Sequence, residues 1–166
     1  NAHTAFGSYR IINDIDLSQA IVDSATTTQL TTSKVALVKK YDGYGNVVGS
    51  GTLDGNSMTL SNLDISISDT TQKHYGLFAS VKDGAVIKNL NLTVKEVSAS
   101  SVPYVGALAG LVDDSRIINV TAQTIHGQDY AVVQGRNIVG GVLGAVSGTS
   151  QLNNIESTIS AYSTYV

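Results

Sequence analysis

The sequence predicts an all-β chain wound as a parallel β-helix (a β-solenoid), with an irregular N-terminal part that contains a hairpin. Three observations predict it. An apolar–x–Asn–apolar core recurs four times along the 166 residues, and a glycine-led apolar segment precedes the last three copies. The composition joins 42% apolar residues to only 14% charged ones, with 35 Ser and Thr and 16 Gly. Repeats of ~20–50 residues mark stacked architectures, in which each unit buries its apolar face against its neighbours.

Residues 9–17 read as a strand, and a short helix is expected over residues 18–24. Residues 34–41 and 46–53 read as a hairpin around Asp42-Gly43-Tyr44-Gly45, because an Asp-Gly pair suits a tight turn. Residues 1–56 form the irregular, capping part, and residues 57–166 form the repeat coils. The hairpin is expected to cover the open end of the stack, since a bare sheet edge is an aggregation template.

The four cores are Leu60-Ser61-Asn62-Leu63, Ile87-Lys88-Asn89-Leu90, Ile117-Ile118-Asn119-Val120 and Leu152-Asn153-Asn154-Ile155. The glycine-led segments begin at Gly76, Gly106 and Gly140. From each of these glycines to the next core Asn the count is 13, 13 and 14, whereas from Asn to the following Gly it is 14, 17 and 21. One half of the unit is therefore nearly constant and the other absorbs insertions. Residues 86–97 alternate between apolar and polar except for one slip at Lys88-Asn89, which is what a corner does to the side-chain faces. Stacking such units would set Asn62, Asn89, Asn119 and Asn154 in one column, each amide donating to the next as in cross-β ladders. Four unrelated turn asparagines are the plainer alternative.

Several function classes are excluded by composition. With no Cys there is no disulfide, thiolate metal site or thiol nucleophile, and a net charge of −3 offers no basic surface for nucleic acid. The longest apolar-plus-Gly run, residues 138–146, is far short of the ~20 residues of a membrane helix, so no membrane insertion by this segment is expected. His3, His74 and His126 form no metal-ligand spacing. Eleven of the 13 carboxylates are Asp. Asp113-Asp114 near Arg116, and Asp14 with Asp16, are the nearest approach to the acid–base clusters of polysaccharide-cleaving β-helices, but turn chemistry explains them as well. No cofactor, metal or catalytic residue is expected, and the chain is read as a non-enzyme. The absent initiator Met and the strand-like run at the end point to a segment of a longer protein.

What remains is binding. The insertion-bearing connections, residues 69–74, 96–104 and 126–137, would stack on one side and carry Tyr75, Tyr104 and Tyr130 at or beside them. Hydroxylated aromatics flanked by Gln, Asp and Ser suit glycan or protein surfaces, and packing over neighbouring coils suits them equally.

Three stretches also carry a family likeness. They are Asn13-Asp14-Ile15-Asp16-Leu17-Ser18, then Gly51-Thr52-Leu53-Asp54-Gly55-Asn56 with Thr59-Leu60-Ser61-Asn62-Leu63, and Gly76-Leu77-Phe78 with the later glycine-rich segments. In this order, over residues 9–160, they resemble bacterial surface proteins with GLUG-type repeats. Ser80 stands where the first repeat would have a Gly, and the later repeats begin Gly-Ala and Gly-Gly. The resemblance implies a β-helical segment of a secreted adhesin, or the non-catalytic N-terminal region of a large secreted peptidase. The reading expected from residues and resemblance together is an extracellular, cell-surface adhesin segment. It would bind a glycan or protein on host cell, matrix or neighbouring bacterium through the loop-bearing side, with self-association possible. A spacer domain of a secreted enzyme is the alternative, and a polysaccharide-active enzyme comes third.

Overall fold

The computed structural model of the protein describes residues 7–17, 21–22, 29–30, 46–48, 50–68, 70–128 and 131–165. Among these residues every regular element is a strand. In chain order they are β1 (Tyr9–Arg10), β2 (Ile15–Asp16), β3 (Ile21–Val22), β4 (Gln29–Leu30), β5 (Asn46–Val48), β6 (Thr52–Asp54), β7 (Thr59–Ser66), β8 (His74–Tyr75) and β9 (Phe78–Lys82). There follow β10 (Val86–Ala99), β11 (Tyr104–Gly106), β12 (Ala109–Asp113), β13 (Arg116–Thr124), β14 (Val132–Gly135), β15 (Ile138–Gly140), β16 (Leu143–Ser147), β17 (Gln151–Ser157) and β18 (Ser160–Ser163).

The strands wind into a β-solenoid of about three turns. One long face stacks β1, β6, β10, β13 and β17 in parallel, and past a bend it continues as β2, β7, β10, β14 and β18. Two shorter parallel sheets, β8–β11–β15 and β5–β9–β12–β16, complete each coil. The glycine-led segments are bent strands: β8 passes to β9, β11 to β12 and β15 to β16 across a corner. Gly is required at that corner. A Cβ on Gly106 would stand 2.5 Å from the Ala109 carbonyl oxygen and 2.6 Å from that of Val142, closer than any side chain can sit.

Equivalent apolar residues lie above one another, one per coil. Leu53, Ile87, Ile117 and Leu152 form such a column at separations of 34, 30 and 35 residues. Leu90, Val120 and Ile155 form a second, and Val81, Val112 and Val146 a third. The middle coils are sealed on both sides, so Ile87, Leu90, Val112, Ile117 and Val120 are fully buried. Each such side chain contributes about 1.5–3 kcal/mol by leaving water. The last coil is covered on one side alone, which leaves Leu152 and Val146 each 45% exposed.

Two corners of the coil need left-handed backbone. Asn89, Asn119 and Asn154 have φ of 52°, 53° and 52°, which is the physical source of the alternation slip at Lys88-Asn89. Asp83, Asp114 and Gly148 occupy the second corner at 60°, 46° and 63°. Asn, Asp and Gly tolerate this region because the first two bond locally through a short polar side chain and the third has no Cβ.

The N-terminal part differs from the sequence expectation where it is described. The helix over residues 18–24 is not formed at Ile21-Val22, where the backbone is the strand β3 and pairs antiparallel with β4. The second arm of the expected hairpin is two separate strands. β5 extends the third sheet in parallel with β9, and β6 lies between β1 and β10 on the long face. The backbone of this segment finds its hydrogen bonds along the stack, one rung before the first full coil. The first arm, residues 34–41, and the turn Asp42-Gly43-Tyr44-Gly45 lie outside the described residues.

Candidate functional site

The side chains at the left-handed corner are joined to one another. Asn154 Nδ2 donates to Asn119 Oδ1 at 3.2 Å, Asn119 Nδ2 to Asn89 Oδ1 at 3.0 Å, and Asn89 Nδ2 to Asp54 Oδ1 at 3.1 Å. Asp54 is thus the terminal acceptor. It also takes the Asn56 backbone N–H at 2.9 Å and sits 3.5 Å from both the Arg10 guanidinium and the Lys88 ammonium. The Asn56 N–H first, then the Asn89 amide and the Lys88 charge, hold its carboxyl below the usual carboxylate range.

Asn62 stands elsewhere. The pairs Leu92–Leu60 and Val94–Leu63 leave it as the extra residue of a bulge on β7, and its amide donates to Asp16 Oδ1 at 2.7 Å. The corner position of that coil belongs to Gly55. A Cβ there would meet the Asn89 carbonyl oxygen at 2.3 Å, so no asparagine fits.

The tyrosines do not share a face. Tyr75 is in register with the buried Val105, packs against the core, and has its hydroxyl pKa pushed up to about 12 by burial. Tyr104 is in register with His74 on the opposite face of the same sheet and stacks on its ring at 5.3 Å between centroids. Tyr130 lies outside the described residues. Burial, with Lys82 and Lys73 nearby, lowers the His74 pKa.

The acidic pairs are engaged in coil-to-coil contacts. Asp14 Oδ1 accepts the Thr59 N–H at 2.7 Å, and Asp113 Oδ1 accepts the Ser147 hydroxyl at 2.6 Å. Asp114 Oδ1 accepts both the N–H and the hydroxyl of Thr149 at 2.7 and 3.0 Å, which lowers its pKa. His126 is exposed in a turn. No group of three or more His, Asp or Glu that would hold a metal occurs among the described residues.

The loop-bearing side carries a different constellation. A polar groove of about 450 Å³ is lined by Thr70, Ser100, Ser101, Arg136, Thr164 and Tyr165. Thr70 comes from the first variable connection, Ser100 and Ser101 from the second, and Arg136 from the third. The register Ala99–Gly135–Ser163 fixes this corner, and the residues that follow each strand end open into the groove. Tyr165 N donates to the Arg136 carbonyl oxygen at 3.0 Å, and the guanidinium carbon lies 5.9 Å from the centre of the Tyr165 ring, within cation–π range. Thr164 Oγ1 bonds the Ser100 carbonyl oxygen at 3.1 Å, tying the edge of the groove across coils. The extra length of the third connection is spent elsewhere. Between the pairs Val94–Thr124 and Glu96–Val132, residues 125–131 stand where the second coil has Lys95 alone.

The chain is similar to halomucin. Over 101 residues it is 37% identical to halomucin of Haloquadratum walsbyi, a stretch that is 61% of this chain and 1% of that protein. No family model matches the sequence. No solved structure matches it.

Arg136 and Tyr165 were not among the residues singled out from the sequence. They are 29 positions apart and meet through the stacking of β14 on β18. The signal that finds them is the coil length itself: one coil after Gly135 falls on Ser163, and the next residues then converge.

Proposed function

We propose that the chain is a solenoid segment of a large surface-displayed protein and that it attaches to glycan or protein on another cell, a host or a matrix through its loop-bearing side. The observation that carries this reading is the groove in which Thr70, Ser100 and Arg136, from three successive connections, converge with Tyr165 on one flank of a rigid stack. A rigid scaffold presenting polar residues from adjacent loops is the usual arrangement of binding surfaces. The likeness to a protein named as a mucin, in which 101 residues are 1% of the length, supports a surface or secreted setting. The kinship with GLUG-type repeat proteins belongs to the same proposal and rests on the glycine-led segments that turn from β8 to β9 and from β11 to β12.

A screen of immobilised glycans and matrix proteins tests the reading, with saturable binding as the expected result. Absence of any saturable ligand overturns it in favour of a spacer domain of a large secreted enzyme such as a peptidase. That second reading is supported by one observation: Tyr75 serves the core and Tyr104 stacks on His74, so the aromatic residues nearest the loops mostly serve the stack itself.

A further inference from the structure

We infer that the groove at Arg136 and Tyr165 recognises an anionic sugar, one that bears a carboxylate or a sulfate, within a polysaccharide chain. The inference rests on the attachment reading above and gives it a ligand class. Among the described residues, Arg136 is exposed and makes no ion pair, and no carboxylate lines the groove. A guanidinium fork matches the two oxygens of a carboxylate or sulfate, where a lysine would offer only a point charge. Tyr165 is 65% exposed, and its backbone N–H is fixed to the Arg136 carbonyl oxygen. Its ring therefore stands beside the charge as a flat apolar surface for the C–H face of a sugar. The hydroxyl residues Thr70, Ser100 and Ser101 complete a lining that matches the hydroxyls of a pyranose. The groove is open and about 450 Å³ in volume, the size of one or two sugar rings rather than an enclosed small-molecule pocket. A single arginine in an open groove gives weak affinity per site, so useful attachment comes from many sugars on one polymer engaging many displayed copies.

The test uses the chain as it stands and three probes of matched length: a polygalacturonate fragment, a dextran sulfate fragment and neutral dextran. The expected result is saturable binding of at least one anionic probe, no saturable binding of neutral dextran, and weakening of the bound complex as salt is raised. Arg136→Gln should lose at least tenfold in affinity and Tyr165→Ala at least threefold, with thermal unfolding unchanged because both side chains are exposed. Arg116→Gln, an exposed arginine outside the groove, should bind as the parent does. Whether the polygalacturonate or the dextran sulfate binds tells carboxylate from sulfate. Equal binding of neutral dextran, or anionic binding that survives Arg136→Gln, overturns the inference. A glycan or matrix protein that is bound saturably but is indifferent to Arg136→Gln also overturns it, while leaving the attachment reading in place. Failure of every probe and of the wider screen overturns both.

Discussion

Asn119 donates its side-chain amide to Asn89 at 3.0 Å while both residues hold φ just above 50°, so one residue type meets two demands at the same corner. The two demands separate experimentally. Asn119→Gly keeps the backbone free to turn and removes the amide bonds to Asn89 and Asn154. These bonds are exposed, and each contributes about 0.5–1.5 kcal/mol. Asn119→Ala removes the same bonds and adds the left-handed penalty of a Cβ, about 1–2 kcal/mol. Urea unfolding should therefore rank parent above Gly above Ala, and equal losses for the two variants would place the whole effect in the amides.

Position along the stack should decide the cost of identical chemistry. Ile117 and Leu152 are register partners, the first fully buried and the second 45% exposed. Ile117→Ala opens a cavity in a sealed coil and should cost about 2–5 kcal/mol. Leu152→Ala loses only part of a side chain's burial and should cost about 1 kcal/mol. Denaturant midpoints for the two variants measure this, and similar losses would mean that the last coil is covered in solution.

Stability should fall as pH drops through the range where histidine titrates. The His74 pKa is lowered from the usual 6.5, first by burial and then by Lys82 and Lys73, so the folded state prefers the neutral ring. The contribution is fully present above pH 6.5 and is lost as pH falls through the lowered folded value. His74→Phe keeps a ring against Tyr104 and removes the proton. Its melting temperature should decline less than that of the parent between pH 7 and pH 5, and parallel declines would show that His74 is not the source.

Ser115 is buried, and its hydroxyl finds no hydrogen-bond partner among the described residues. A buried donor without a partner carries an uncompensated desolvation cost, so Ser115→Ala should match or exceed the parent in stability. A loss above about 1 kcal/mol on thermal unfolding would show that the hydroxyl is engaged, for instance by a bound water.

The coil was legible in the sequence because two constraints repeat together: the corner needs a residue that tolerates positive φ, and the flanking columns need apolar side chains of fixed spacing. Ile87-Lys88-Asn89-Leu90 and Ile117-Ile118-Asn119-Val120 display both. Leu60-Ser61-Asn62-Leu63 displays the same pattern for a different reason. Its Asn62 also has positive φ, at 61°, but in a bulge one bend further on, and flanking leucines alone do not distinguish the two places. The corner it was assigned to is filled by Gly55, with Asp54 accepting the last amide, because the backbones approach too closely there for a Cβ. The parallel pairing of β5 with Ser80–Lys82 was hidden for a related reason: a short apolar run beside Asp-Gly displays its local turn and nothing of a partner more than 30 residues on. The groove was hidden because Arg136 and Tyr165 carry no local pattern. Their meeting depends on how many residues a coil takes to return, a number that insertions change from coil to coil.

The in-register coils also make the chain a compact reserve of length. Each coil adds about 4.7–4.9 Å of height to the stack, the spacing of neighbouring strands. Its 30 to 35 residues, drawn out, span roughly 100–120 Å. Peeling one coil away therefore releases more than twentyfold extension for that coil. A stack built this way yields to a pull in steps, because each coil contacts only its neighbours.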